Sequence, residues 1–203
     1  MAALYALAYL RSAMPSSSPA APLTVALPDW AVEHSYMDRR YDSLEERMSL
    51  AIDLARRNVE HGTGGPFGAA VFETGSGRLV ATGMNLVVSS GNAFLHAETV
   101  ALMFAQREVG TWSLRSPEHD LVTSCAPCAM CLGAVLWSGV ARLVSGATRE
   151  DAIEIGFDEG PVFDASYEYL VSHGINCQTG VLRDEARAIL QDYRSRGGPI
   201  YNG

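Results

Sequence analysis

Two short segments of the sequence carry side chains that could bind a metal ion and move protons. They are His96-Ala97-Glu98 and, about thirty residues later, Pro127-Cys128-Ala129-Met130-Cys131. One imidazole and two thiols suit a borderline-soft ion such as Zn²⁺. Three protein ligands leave the fourth tetrahedral position open for water, which is typical of a catalytic zinc site. The sequence therefore predicts a catalytic zinc site whose ligands are His96, Cys128 and Cys131.

The spacing of these residues predicts that both segments begin helices. Cys128 and Cys131 are three residues apart, so the start of a helix places both sulfurs on one face. Pro127 suits the start of such a helix because it lacks an N–H group that would have no partner there, and the positive end of the helix favours thiolate. His96 and Glu98 can point at one centre in the first turn after a loop. Glu98 is therefore expected beside the zinc, moving protons while the metal generates hydroxide near neutral pH.

Each piece of this pattern also has a structural explanation. A lone histidine is often hydrogen-bonded in the core, and a cysteine pair can be buried as an apolar pair or form half of a closed zinc knuckle. The joint spacing favours the catalytic site over these explanations. The cysteines from Cys125 to Cys131, together with Cys177, also resemble a ferredoxin-type run. That run requires a proline after its fourth cysteine, where Gln178 stands here, and it gives the His-Ala-Glu segment no role.

Hydrophobic periodicity and turn residues predict the order of the elements. A capping box formed by Ser43 and Glu46 opens an amphipathic helix that ends near Gly62. Strands and helices then alternate, which implies a mixed sheet covered by helices on both faces. The predicted strands cover residues 69–74, 78–88, 121–124, 141–145 and 175–179, and the later helices cover residues 96–110, 128–137, 150–155, 166–173 and 183–194.

The sequence from about residue 45 to 160 resembles the bacterial guanine deaminases of the cytidine deaminase superfamily. His-x-Glu followed by Pro-Cys-x-x-Cys is the known signature of zinc deaminases. The further matching segments are Gly64 to Ala69, Gly83-Met84-Asn85, Thr123-Ser124-Cys125, Leu132-Gly133-Ala134, Trp137 and Gly156-Phe157-Asp158-Glu159. The resemblance implies a three-layer α/β/α sandwich around a five-stranded mixed sheet, and deamination of a free nucleobase, with guanine as the first expectation.

The resemblance also implies roles for five residues around the base. It places the purine between Phe67 and Trp137, with Asn85 and the backbone of Ala97 binding its polar edge. Glu159 is expected to be a second catalytic carboxyl group that accepts hydrogen bonds from guanine and passes a proton to the departing amine. Taken singly, these residues have ordinary explanations as core aromatics, a turn residue and a solvated loop acid.

Two positions depart from the family pattern beside the expected pocket. Leu95 replaces a small residue before the ligand histidine, and Ala126 replaces a glutamate before Pro127. A related heterocycle, such as cytosine, another aminopurine, a pterin or a triazine, is therefore an alternative substrate. The family resemblance also implies a homodimer that can exchange C-terminal segments over the substrate, and Tyr201 is the residue here that could cover the site.

Composition indicates one globular domain behind an N-terminal extension. The chain has 203 residues, of which 48% are hydrophobic and 19% charged, and this suits a single core. Residues 1–28 are rich in alanine, serine and proline and are expected to form a flexible extension, while residues 29–203 are expected to form the deaminase domain. The apolar run from Ala2 to Leu10 is too short to span a bilayer, so no membrane contact is expected.

Charge and cysteine content bear on the partners and the location of the protein. The net charge of −8 repels a phosphate backbone. This disfavours a transfer RNA adenosine deaminase, which shares the metal motif, and favours a small uncharged substrate without nucleic acid. A catalytically silent zinc module is a third hypothesis. Four cysteines in a chain of this length do not indicate a disulfide framework, and thiolate ligands favour the cytoplasm.

Overall fold

The computed structural model describes residues 24–32, 36–37 and 39–201. These residues form five strands and seven α-helices after a short 3₁₀ turn at Asp29–Ala31. In chain order they are α1 (Leu44–Glu60), β1 (Gly68–Glu73), β2 (Leu79–Met84), α2 (Val87–Ser90), α3 (Ala97–Val109), β3 (His119–Cys125), α4 (Ala129–Ser138), β4 (Arg142–Ala147), α5 (Arg149–Ile155), α6 (Asp164–Ser172), β5 (Asn176–Gln178) and α7 (Arg183–Ser195).

Most of the predicted N-terminal extension, residues 1–23, lies outside the described residues. In its described part, Val25 and Leu27 pack against the hydrophobic core. The domain boundary after residue 28 stays a prediction.

The five strands form one mixed sheet in the order β2-β1-β3-β4-β5. The pairs β1–β2 and β1–β3 are antiparallel, while β3–β4 and β4–β5 are parallel. Parallel neighbours need a crossover, and α4 supplies it between β3 and β4. Every residue of β2 and β3 is buried, because helices cover both faces of the sheet. The five-stranded mixed sheet is therefore confirmed.

Helices form a layer on each side of this sheet. On one face, α1 packs on β1 and β3, and α7 packs on β4 beside α1. On the other face, α3 packs on β2 and β1, with α4 beside it. The three-layer α/β/α sandwich is thus also confirmed. Among the described residues, every helix is too short or too polar to cross a membrane.

Two glycines let helix backbones lie directly against the sheet. A Cβ atom at Gly68 would lie 2.3 Å from the carbonyl oxygen of Ala51 in α1. A Cβ atom at Gly83 would lie 2.3 Å from the carbonyl oxygen of Ala97, in the first turn of α3. Such contacts are too short for any side chain, so only glycine permits this spacing. The start of α3 is therefore held against β2.

The strands predicted at residues 69–74 and 78–88 pair as an antiparallel hairpin, but the second strand is shorter than expected. The strand ends at Met84, and residues 87–90 form the short helix α2 where the sequence suggested strand and loop. The backbone N–H of Val87 donates to Asn85 Oδ1, 3.2 Å away. This local hydrogen bond turns the chain out of the sheet, so Asn85 stands at the end of β2.

A charged cap at the start of α5 provides a test of stability against pH. Asp151 accepts hydrogen bonds from the Thr148 backbone N–H at 2.8 Å and from two Arg183 nitrogens at 2.9 and 3.0 Å. The hydrogen bonds from Arg183 lower the pKa of Asp151 to about 2. An acid with a depressed pKa stabilises the fold above its unfolded pKa of about 3.9 and loses that contribution as the pH falls toward about 2.

We therefore expect Asp151→Asn to lower the free energy of unfolding by about 1 kcal/mol at pH 7, a figure that allows for solvent screening at Arg183. The difference from wild type should narrow as the pH falls from about 4 to about 2. Urea unfolding across this range measures it. Asp192→Asn is the control, because Asp192 makes only an exposed pair with Arg196 and should change stability by less than about 0.5 kcal/mol. If the difference in the free energy of unfolding between wild type and Asp151→Asn stays constant with pH, the lowered pKa assigned to Asp151 is wrong.

Candidate active site

The metal-binding side chains stand at the starts of two helices that meet at one end of the sheet. His96 is the N-cap of α3, Cys128 is the N-cap of α4, and Cys131 is in the first turn of α4. In the described part of the chain, neither N-cap side chain caps its own helix, which leaves both free to face each other. Pro127 lies one residue before the N-cap, in the loop that leads into α4, as predicted.

The spacing of the three ligand atoms fits zinc. Nδ1 of His96 lies 3.5 Å from Sγ of Cys128 and 3.7 Å from Sγ of Cys131, and all three atoms lie within 4.8 Å of one another. Tetrahedral zinc, with Zn–N near 2.0 Å and Zn–S near 2.3 Å, separates nitrogen from sulfur by about 3.5 Å. The observed distances match that geometry.

The other two cysteines do not join this set. Sγ of Cys125 donates to the carbonyl oxygen of Thr148 at 3.6 Å, and Sγ of Cys177 donates to that of Ile175 at 3.7 Å. All four cysteines, each within the described residues, are free thiols. The ferredoxin-type cluster is therefore excluded, and a site with three protein ligands remains.

The helix geometry favours a thiolate at Cys128. A hydrogen bond from the Cys131 thiol, together with the contact to His96, lowers the pKa of Cys128 to about 4. The first N–H groups of α4 add to this effect, because they lack intrahelical acceptors and carry partial positive charge. Cys128 is thus a ready metal ligand at neutral pH.

A small closed cavity of about 20 Å³ lies directly beside the ligand set. With its walls in this arrangement it has room for about one water molecule. Its walls come from the two ligand helices, the loops before β1 and after β2, the loop after α5 and the C-terminal segment. The lining residues are Phe67, Asn85, His96, Glu98, Ala126, Cys128, Phe157, Asp158, Glu159 and Tyr201.

Two carboxyl groups face this cavity from different elements. Glu98 is the second residue of α3, and Glu159 lies on the loop after α5, with 6% and 8% of their surfaces exposed. The backbone N–H of Ala129 donates to the Glu159 carbonyl oxygen at 3.0 Å, which ties that loop to α4. Burial, with the nearby charge of Cys128, raises the pKa of Glu98 to about 7 and that of Glu159 to about 8. Both groups can therefore hold or release a proton near neutral pH.

Three of the predicted base-binding residues lie at or next to the cavity. Phe67 lines it and makes an edge-on contact with Phe157, with ring centroids 5.0 Å apart. Asn85 lines it with Oδ1 engaged by the Val87 N–H, so its NH₂ group is the donor available to a ligand. Ala97 is the first residue of α3, where a backbone N–H has no intrahelical acceptor.

The structure corrects the prediction that Trp137 stacks on the base in this cavity. Its side chain is 80% exposed and lines a separate groove that also contains Phe94 and Trp112. Trp137 stands near the end of α4, and the rise of 1.5 Å per residue places it about 13 Å along the axis from Cys128. Leu95 also lies outside the cavity, because it is buried in the core and lines that groove. Ala126, in contrast, lines the cavity.

Tyr201 closes the cavity of its own chain. Its ring makes an edge-on contact with Phe157, with centroids 5.1 Å apart. A Cβ atom at Gly65 would lie 1.9 Å from the Tyr201 hydroxyl oxygen, so only glycine fits beneath it. Among the described residues, this buried hydroxyl has no hydrogen-bond partner. Sequence reasoning could not align Tyr201 to the site, because more than a hundred residues separate it from His96.

These features define a class of enzyme. One imidazole and two thiols that leave a fourth position open, a carboxyl group beside them and an adjoining cavity are what a hydrolytic deaminase needs to attack a C–N bond with water.

The chain belongs to the cytidine and deoxycytidylate deaminase zinc-binding family, whose model matches residues 42–147. Guanine deaminase of Bacillus subtilis is 37% identical over 119 residues, which are 59% of this chain and 74% of that protein. The solved structure of guanine deaminase from Nitrosomonas europaea is 42% identical, with a TM-score of 0.81 over 86% of this chain and 97% of that chain. A structure of a variant protein in complex with 8-azaguanine, also 42% identical, has a TM-score of 0.81 over 85% of this chain and 96% of that chain. The matched region of this family binds zinc, and His96, Cys128 and Cys131 form the candidate site for that ion.

Proposed function

We propose that the protein deaminates free guanine to xanthine and ammonia, as a step of purine metabolism. The observation that carries the proposal is that Glu98 and Glu159, from different elements, face the same cavity beside the zinc ligands. The similarity to guanine deaminases over most of the chain supports this choice of base.

The two carboxyl groups divide the proton transfers of the reaction. When bound, zinc supplies Lewis-acid activation of a water molecule near neutral pH. Glu98 takes a proton from the water that attacks C2 of guanine and passes it to the ring nitrogen beside C2. Glu159, in its protonated form, donates a proton to the 2-amino group as the C2–N bond breaks and ammonia leaves. The oxygen added at C2 then gives its remaining proton to Glu159 as the C2=O bond forms. Guanine and water thus give xanthine and ammonia, and both carboxyl groups return to their starting states.

The remaining walls favour guanine over other ligands. Guanine presents N–H donors at N1 and at its 2-amino group, which the carboxyl oxygens of Glu159 can accept, whereas adenine lacks this donor pattern. Phe67 and Phe157 supply apolar contacts for the ring, and Tyr201 excludes water. This closed cavity and the net charge of −8 disfavour a polynucleotide.

Ammonia release from a panel of substrates tests the proposal. Guanine should give the highest kcat/KM among guanine, adenine, cytosine, a pterin, a triazine and transfer RNA. Release from another heterocycle alone would assign that heterocycle as the substrate. Release from transfer RNA alone would identify a transfer RNA adenosine deaminase, and the absence of release from every substrate would indicate a non-catalytic zinc module.

We also propose that the protein forms a homodimer through the groove between α3 and α4. Phe94, Trp112 and Trp137 line this groove with 70%, 80% and 80% of their surfaces exposed. An exposed apolar patch rich in aromatic residues is typical of a protein interface. A second copy of the chain would cover it, and because Tyr201 closes its own cavity, this dimer requires no exchange of C-terminal segments.

Trp137→Glu should therefore weaken the dimer by at least about tenfold, because it places a charge in the apolar interface. Sedimentation equilibrium measures the dissociation constant. Phe163→Glu is the matched control, since Phe163 is a 67% exposed aromatic residue outside the groove and should leave dimerisation unchanged. A monomeric wild-type protein would contradict the proposal.

We further propose that the protein acts in the cytoplasm, because free thiols and thiolate metal ligands persist best in a reducing compartment. Fractionation of the host cell would test this.

A further inference from the structure

A buried amide side chain joins the two backbone segments that carry the base-binding residues. Asn58 is on α1 and is fully buried. Its Nδ2 donates to the carbonyl oxygens of Gly65 and Asn85, each at 2.8 Å. Gly65 lies two residues before Phe67, so one amide group connects the Phe67 segment to the Asn85 segment.

The two segments also contact each other directly. The backbone N–H of Asn85 donates to the Phe67 carbonyl oxygen at 3.0 Å. A Cβ atom at Gly64 would lie 1.8 Å from the Asn85 carbonyl oxygen and 2.7 Å from Asn58 Nδ2. The segments are therefore packed without space between them, and a small displacement of the Asn58 amide must move one of them.

The orientation of the Asn58 amide is fixed from its other side. The Thr63 hydroxyl donates to Asn58 Oδ1 at 2.7 Å, and Trp30 Nε1 donates to the Thr63 hydroxyl at 3.2 Å. Trp30 is itself held by stacking on His61, with centroids 5.4 Å apart, and by Arg57, whose guanidinium carbon lies 4.9 Å from the Trp30 ring centroid. This arrangement gives Oδ1 a donor and Nδ2 two acceptors, and a flipped amide would lose these pairings.

We propose that Asn58 is a positioning residue that sets the affinity for the base by holding Phe67 and Asn85 in place, with Thr63 and Trp30 orienting its amide. The inference rests on the proposed function and deepens it. Asparagine is a poor helix former because its side chain competes for backbone groups. Here it occupies the buried face of α1 near Leu54 and Ala55 and hydrogen-bonds groups outside the helix.

Asn58→Asp tests the inference with a side chain of the same size. It replaces the donor with an oxygen that faces two carbonyl oxygens, so both segments lose their anchor. We expect the dissociation constant for 8-azaguanine and the KM for guanine to rise by roughly 30-fold or more, with kcat changed less than about threefold and zinc content unchanged. Thr63→Val keeps the shape but removes the orienting hydroxyl, and should raise both constants by about fivefold. It also provides a milder variant if Asn58→Asp folds poorly.

A double-variant cycle separates positioning from general destabilisation. If Asn58 acts through Asn85, the effect of Asn58→Asp on 8-azaguanine binding should shrink when Asn85 is already alanine. If the fold-changes in the dissociation constant caused by the two single substitutions simply multiply in the double variant, the inference is overturned.

Hydrogen exchange gives a readout that does not depend on the substrate. In the zinc-bound protein, Asn58→Asp should speed exchange by roughly tenfold or more in peptides covering residues 63–67 and 85–88, with residues 183–195 unchanged. Unaltered protection in the first two peptides would overturn the inference even if guanine is the substrate. If the wild-type protein deaminates no guanine, yet Asn58→Asp still causes this local loss of protection, the proposed function is overturned while the positioning role stays intact.

Discussion

Replacing Glu98 with glutamine is expected to lower ammonia release from guanine by about 10³-fold while leaving about one zinc ion per chain. The reason is that Glu98 lies beside the metal site and is not one of the three residues whose ligand atoms converge. Loss of a general base typically costs 10²–10⁴-fold in rate. A coupled ammonia assay and atomic absorption on the same purified sample measure both quantities.

Cys128→Ala supplies the contrast, because two remaining ligands hold zinc poorly. Zinc and activity should then be lost together. Cys177→Ala is the matched control, since Cys177 lies on β5 away from the ligand set and should retain both. If Glu98→Gln loses zinc as completely as Cys128→Ala, Glu98 is a ligand and its assigned role is wrong.

The second large effect is expected at Glu159. Glu159→Gln should lower kcat for guanine by roughly 10²-fold or more, because a glutamine cannot donate a proton to the departing amine. Zinc content and thermal stability should stay near wild type, since the anchor of this loop to α4 is the Glu159 backbone carbonyl group, which the substitution keeps. Steady-state kinetics with guanine provides the measurement.

Asp158→Asn is the neighbouring control. Asp158 is exposed, and its Oδ1 accepts a hydrogen bond from the Gly160 backbone N–H at 2.8 Å, a role that asparagine can also fill. Its effect should be less than about threefold. Equal losses from both substitutions would show that the loop has been disturbed as a whole and that Glu159 has no separate role.

Local spacing was enough to predict that His96, Cys128 and Cys131 come together. A spacing of three residues from Cys128 to Cys131 defines one face of a helix start, and the alternation of strands and helices defines a covered mixed sheet. Trp137 shows the limit of a motif, which fixes a position along α4 but not the direction of a side chain more than two turns later. The motif therefore placed Trp137 at the base, whereas the structure places it in the groove between α3 and α4.

Contacts between segments that are distant along the chain could not be predicted from the sequence either. Asn58 lies on a helix whose apolar periodicity is clear. A polar residue on the buried face indicates a tertiary partner, but the sequence does not identify that partner. Its partners Gly65 and Asn85 follow at 7 and 27 residues. The short helix α2 was missed because the hydrogen bond from Val87 to Asn85 ends a strand that residue propensities would continue.

The close contact between Gly83 and α3 makes the β-sheet the positional reference for the metal site. His96 and Glu98 flank Ala97, whose carbonyl oxygen would lie 2.3 Å from a Cβ atom at residue 83. Even one methyl group there would push the first turn of α3 outward by roughly 1 Å, the shortfall from an ordinary van der Waals contact. Metal coordination tolerates errors of only about 0.2 Å. The positions of the metal ligand His96 and the general base Glu98 therefore depend on the thickness of β2. This strand lies behind α3, and none of its residues lines the cavity.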